Sequence, residues 1–136
     1  MKTMRIIACF LSIMSLFTTS AYADTSSSPP SIVGNYQCQR TDASNNSVTY
    51  PVTVTQTGDT YTFEWVDKTT NNPQMYGTAL IHPSLNNVIA ASFWDITNPD
   101  TNGVALYEIQ IDGTLQGNWI VQSTKNSGTE TCIKNK

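Results

Sequence analysis

The chain has 136 residues, seven Lys and Arg against ten Asp and Glu, a formal net charge of −3 at pH 7 and one histidine. That length suits a single domain with a modest core. The acidic balance and the lack of any basic patch exclude nucleic acid and anionic membrane surfaces as natural partners.

The chain opens MKTMRIIACFLSIMSLFTTSAYADTSSS, and residues 1–23 read as a secretory signal peptide. Lys2 and Arg5 form a positive head, and Ile6 to Phe17 is apolar apart from Ser12 and Ser15. Ala21-Tyr22-Ala23 then offers small residues at the two positions a signal peptidase reads. The apolar run is shorter than the ~20 residues a bilayer crossing needs. Cys9 has no lipobox around it, so no lipid anchor is expected. Cleavage after Ala23 predicts an exported protein, periplasmic or secreted, that starts at Asp24 and is not inserted in a membrane. Without Lys2 and Arg5, five basic residues face ten acidic ones, for a mature charge of −5. Residues 24–31, DTSSSPPS, form a polar leader ahead of one domain over 32–136.

From Ile32 onward the pattern has period two. Val48, Tyr50, Val52 and Val54 alternate with Thr49, Thr53 and Thr55; Tyr61, Phe63 and Trp65 alternate with Thr62 and Glu64; Tyr107, Ile109 and Ile111 alternate with Glu108 and Gln110. Strict alternation marks half-buried strands, and no window carries an apolar stripe at helical spacing. Turn-forming stretches punctuate the pattern: TGD at 57–59, KTTNNP at 68–73, HPSLNN at 82–87, ITNPDTNG at 96–103 and QSTKNSG at 122–128. Eight strands result, near 33–40, 47–56, 60–67, 74–82, 87–95, 103–111, 114–121 and 128–134. Short connections imply an antiparallel meander. Pro51 lacks a ladder donor, which places an edge, a bulge or a corner there. Asp112-Gly113 between alternating runs predicts a two-residue type I′ hairpin.

An all-β chain of this kind must hide its sheet edges. Closure into a small eight-stranded barrel does so, and a two-sheet sandwich is the alternative. Cys38 and Cys132 remain after cleavage, an even pair in an oxidising compartment. They are expected to form a disulfide, the alternative being two reactive thiols. Such a bridge needs Cα atoms within about 7 Å. It therefore sets the first strand beside the last, which is the condition for closure.

Candidate sites are few. His82 stands at a turn without a nucleophile frame around it, and no catalytic set is expected. Glu130 shares a face with the bridge, two residues from Cys132, and is the carboxylate expected to be part-buried. Asn98, Asp100 and Asn102 match the first half of a calcium loop, but position twelve would be Ile109, and the segment reads better as a hairpin loop. No metal and no cofactor are expected. Trp94 and Trp119 are the aromatic candidates for a binding surface; Tyr36, Tyr50, Tyr61, Phe63, Trp65, Tyr107 and Trp119 itself are most simply expected to fill the interior. Gly77, Ala79, Ala90, Ala91 and Ser92 are small, and either admit these aromatics or leave a cavity.

GNYQC, YPVTVTQTGDTYTFEW, GVALYEIQIDGTLQGNW and SGTET together resemble a family of small exported bacterial proteins. The family pattern has an opening G-x-Y strand, a T-x-x-G-x-x-Y-x-x-x-W hairpin, and a final Y-x-I-x-x-D-G-x-L-x-G-x-W with G-T-E. The likeness spans Gly34 to about Cys132. Some members carry a fibronectin-binding label, which is not carried over, and the family assigns no catalytic residues. Cys38 and Cys132 depart from its pattern, so the bridge is a local addition.

The function expected is a non-enzymatic binding protein, monomeric, with a protein or a small apolar ligand as partner. One alternative resembles the periplasmic inhibitors of c-type lysozyme, whose S-A-S-G loop is missing here. Another is a small carboxylate-based hydrolase using Glu130. An open apolar cavity would favour a ligand, whereas a filled barrel with an exposed aromatic patch would favour a protein.

Overall fold

The computed structural model describes residues 30–136. The expected signal peptide, its expected cleavage site and residues 24–29 of the expected leader lie outside the described residues. Eight strands follow in order: β1 Gly34–Asp42, β2 Ser47–Thr57, β3 Thr60–Val66, β4 Pro73–His82, β5 Leu85–Asp95, β6 Asn102–Ile109, β7 Leu115–Val121 and β8 Ser127–Lys134. Each pairs antiparallel with the next, and β1 pairs with β8 to close the barrel. A single continuous sheet replaces the sandwich alternative, and closure leaves no open edge.

Cys38 and Cys132 are register partners across the β1–β8 seam, 3.9 Å apart at Cα, and are joined by a disulfide. The bridge lies inside the barrel, since both residues are buried. Pro51 sits opposite Gln37 of β1, while the ladder between β2 and β3 begins only at Val52. The proline therefore occupies a corner, where β2 has a partner on one side only.

Five hairpins rest on a single residue of positive φ near the turn: Asn45 at 63°, Gly58 at 60°, Asn71 at 56°, Gly113 at 83° and Lys125 at 54°. The Asp112-Gly113 turn differs from the two-residue type I′ form expected. Gly113 N donates to Gln110 O at 2.9 Å, and Gln110 N donates to Thr114 O at 2.8 Å. Only Gly113 is left-handed. These features define a three-residue loop, a turn followed by a left-handed glycine. The reason is local: Asp112 Oδ1 accepts the Thr114 N–H at 2.9 Å, a bond the side chain makes from an ordinary φ. As a result β6 ends at Ile109, and Ile111 is fully exposed instead of continuing the inward row.

Inward residues fill the barrel. Tyr36, Phe63, Trp65 and Tyr107 are buried to within 1% of full, and Trp119 is 5% exposed. Tyr50 and Tyr61 are part-buried against this core. Phe63 stacks on Trp65 and on Tyr107, with ring centroids 5.5 and 5.9 Å apart. Small residues on β4 and β7 make room. A Cβ on Gly77 would lie 2.9 Å from the Trp65 ring, and one on Gly117 would lie 2.3 Å from Leu106 O and 2.5 Å from the Tyr107 ring. Of the two uses open to the small residues, these glycines serve to admit large aromatics.

Candidate functional site

The candidates fall on opposite sides of the barrel wall. Glu130 and Trp119 face inward; Trp94 faces outward; Asn98 and Asp100 belong to the β5–β6 connection, and Asn102 opens β6.

Inside, strand parity puts Arg40 on the same face of β1 as Tyr36 and Cys38, and Glu130 on the same face of β8 as Cys132. Arg40 and Glu130 are register partners. Glu130 is 1% exposed. Its Oε1 accepts Trp65 Nε1–H at 3.0 Å, and its Oε2 accepts the Tyr107 hydroxyl. Arg40 Nη2 approaches the same Oε2 at 3.4 Å as the charge partner. The guanidinium lies 4.8 Å from the Trp119 ring centroid, 5.2 Å from Phe93 and 5.7 Å from Trp65. Three rings thus enclose a cation that the chain itself supplies. Trp119 completes its own bonding by donating Nε1–H to Thr129 O at 3.1 Å. Burial, then the adjacent Glu130 charge and the hydrogen bond to it, hold the Tyr107 phenol well above its usual range. Burial also raises Tyr50. The cluster satisfies a buried carboxylate with two neutral donors and one cation, which is the arrangement burial of a charge requires.

Sγ of Cys38, Sγ of Cys132 and a carboxylate oxygen of Glu130 lie within 4.8 Å of one another. The two sulfurs are bonded to each other, so this trio offers no thiolate to a metal. In the β5–β6 connection, Asp95 and not Asp100 organises the chain. Its Oδ1 accepts Thr97 N, Thr97 Oγ1 and Asn98 N, at 2.7, 2.7 and 3.0 Å. Those bonds, with the Thr97 hydroxyl foremost, hold the Asp95 carboxyl below the usual range. Asn98 O accepts Thr101 N, and Asn102 Nδ2 donates to Pro99 O. Asn98 and Asn102 are thus used in shaping the loop.

Outside, exposed aliphatic side chains cluster on β4–β7, with single ones elsewhere at Val48 of β2 and Ile133 of β8. Leu80 is 48% exposed, Val104 57%, Leu106 56% and Ile120 46%. Trp94 is 40% exposed and packs beside Tyr76, with ring centroids 6.4 Å apart. Register sets these side chains in rows: Thr78, Ser92, Val104 and Ile120 across the four strands, and Leu80, Ala90, Leu106 and Asn118 beside them. Two adjoining grooves run over this face, of about 650 and 590 Å³, and they share Ser92, Val104 and Ile120. By contrast β1 turns out Asn35, Gln37, Gln39 and Thr41.

The sequence reading missed two elements of this picture. Arg40 was legible from parity, two residues beyond Cys38. The outer face was legible in GVALYEI, where Val104 and Leu106 interleave with Ala105, Tyr107 and Ile109, making both faces of one strand apolar.

No protein-family model and no curated protein matches the chain. Among solved structures it is similar to a redesigned β-barrel, with TM-score 0.64 and 8% identity, covering 77% of this chain and 92% of that one. At that identity the likeness concerns the fold: the protein is an eight-stranded antiparallel closed β-barrel.

Proposed function

We propose that the protein is an exported, non-enzymatic interaction protein that docks a protein partner on the outer face of β4–β7. The observation that carries this reading is the contiguous exposure of Leu80, Val104, Leu106 and Ile120 over the two joined grooves. Soluble monomers seldom leave a large contiguous apolar patch uncovered without a use for it. The filled interior supports a surface role over a ligand held in the lumen, because aromatic rings and the Arg40–Glu130 pair occupy that space. Glu130, the carboxylate on which a hydrolase reading depends, is buried and bonded on both oxygens. Export is supported by the disulfide, which persists in oxidising compartments.

The test is site-specific photo-crosslinking of the exported protein. A photoreactive side chain at Leu106 or Ile120 is expected to give discrete protein adducts, and one at Thr129, on the polar side, is not. Equal labelling at all three positions, or none at Leu106 and Ile120, would remove the docking reading.

A further inference from the structure

One mouth of the barrel holds hydrogen-bonding groups that neither the fold nor the docking face uses. A cavity of about 230 Å³ opens there between the β1–β2 hairpin and the β7–β8 connection. Arg40 lines it and is only 9% exposed. A guanidinium presents a rigid fork of N–H donors. Only two of them find acceptors among the described residues: Nη2 meets Glu130 Oε2 at 3.4 Å, and Nη1 meets the weakly accepting Met75 sulfur at 3.8 Å. Nε is buried with no acceptor. Serving as counter-ion to Glu130 thus engages one N–H and leaves most of the fork without an oxygen. Buried donors without acceptors are costly and uncommon, and an acceptor brought by a ligand would relieve them. Tyr50 lines the same cavity, and its half-buried hydroxyl makes no hydrogen bond among the described residues. Burial raises the Tyr50 phenol and the Arg40 charge offsets part of that rise, as expected of close neighbours.

The charges decide what kind of acceptor fits. Asp42 follows Arg40 by two residues on β1 and lines the same cavity. Its Oδ1 accepts Ser44 N and Asn46 N at 2.8 and 2.9 Å, and its Oδ2 accepts Asn46 Nδ2 at 3.0 Å. Those bonds, with the Asn46 side chain foremost, hold the Asp42 carboxyl below the usual range and keep it ionised at neutral pH. Oδ2 retains a second lone pair. Arg40 against Glu130 and Asp42 leaves one negative charge in excess. Around the same end of the barrel stand Asp67, Asp95 and Asp100 against Lys68 and Lys125, one more negative charge in excess. A plain anion is therefore repelled, although the Arg40 fork and the Tyr50 hydroxyl require an oxygen acceptor. A ligand that meets both conditions carries a carboxylate and a positive charge together. Val121 and the Trp119 ring add an apolar wall. The volume holds about eight non-hydrogen atoms at roughly 30 Å³ each, the share of a water in the liquid. We infer that this mouth binds a small zwitterion, an α-amino acid of about valine's size. Its carboxylate lies on Arg40 and Tyr50, its ammonium on Asp42 Oδ2, and its apolar side chain against Trp119 and Val121. The site is at the barrel end, apart from the outer face of β4–β7, so it and the docking reading stand or fall separately.

Heteronuclear NMR titration of the exported, disulfide-bonded protein with L-valine at neutral pH tests this. Saturable shifts are expected at the Trp119 indole and at the Asn46 and Asn126 amides, with a Kd of about 0.1–1 mM for a ligand of this size. Isovalerate, which lacks the ammonium, should bind about threefold or more weakly. Isobutylamine, which lacks the carboxylate, should bind about tenfold or more weakly. Arg40 supports the barrel itself, so the variants are made beside it. Tyr50→Phe should weaken valine about 2- to 10-fold. Asp42→Asn should bring valine and isovalerate to within about twofold of each other, a change in charge preference that a loosened hairpin alone would not produce. Absence of any saturable shift up to about 20 mM valine overturns the inference. So does isovalerate binding as tightly as valine, an affinity indifferent to Tyr50→Phe, or a valine preference that Asp42→Asn leaves intact.

Discussion

Replacing Arg40 by Met tests whether the Arg40–Glu130 pair is a charge pair that the barrel depends on. Met occupies similar volume and keeps an apolar, polarisable contact with Trp119, Phe93 and Met75. Glu130 remains, with its side chain inaccessible to solvent. It keeps the Trp65 and Tyr107 donors but loses the one cation paired with it among the described residues. Breaking a buried pair in this way costs about 3–5 kcal/mol. The 3.4 Å separation is long for a charged hydrogen bond, which places the loss toward the lower end, about 3–4 kcal/mol. For a domain near 100 residues this lowers Tm by roughly 12–30 °C. Adding Glu130→Gln removes the uncompensated charge. The Gln carbonyl can still accept from Trp65 or Tyr107, leaving one donor unpaired at a cost of about 1–3 kcal/mol. The double variant should therefore melt above Arg40→Met while remaining below the natural protein. Circular-dichroism melts of the oxidised proteins read all three. If Arg40→Met melts within a few degrees of the natural protein, or if Glu130→Gln fails to raise it, the interior is not organised around this charge.

The other predictions concern the seam, the final hairpin and the phenols. Converting Cys38 and Cys132 together to Ala releases a loop of 94 residues' separation, and the chain-entropy model gives a loss of about 4–5 kcal/mol; denaturant titration should show the midpoint fall, and an unchanged midpoint would mean that β1 and β8 are held by the ladder alone. Gly113→Val places a β-branched residue at φ 83° in otherwise open space, so about 1–3 kcal/mol should be lost through backbone strain alone, with Gly113→Asn milder because Asn tolerates that region. A Val variant that melts normally would refute the turn geometry. Because Tyr107 is raised in the folded state, its contribution to stability is complete below the unfolded value of 10.0 and is lost as pH climbs through the folded value. Alkaline unfolding should therefore begin above pH 10, and phenolate absorbance should show a tyrosine, beyond Tyr36 and Tyr50 whose phenols burial also raises, that ionises only with unfolding. Its absence in Tyr107→Phe assigns it, and complete early ionisation of an intact barrel would contradict the enclosure of Tyr107.

The sequence by itself determined the strands and their order, and it favoured closure over the two-sheet alternative. Alternation is a local property, and a meander with short connections leaves little freedom in pairing. Two cysteines at the ends then fix first against last, because a disulfide tolerates only a few ångströms. Burial of Glu130 was legible in the same way, from its parity with Cys132. The DG turn was read a residue short, because a side-chain bond from Asp112 to Thr114 N competes with the two-residue form and is not visible in a turn motif. What only the tertiary structure decided was which apolar residues the barrel could hold. A closed barrel of eight strands has a fixed lumen, and Trp65, Phe63, Tyr107, Trp119 and the Arg40–Glu130 pair fill it. Trp94, Val104, Leu106 and Ile120 belong to the opposite parity and stay outside. Period-two patterning separates the two sets of side chains. It does not say which set faces the lumen where both are apolar, and on β6 that choice was set by the register of its neighbours.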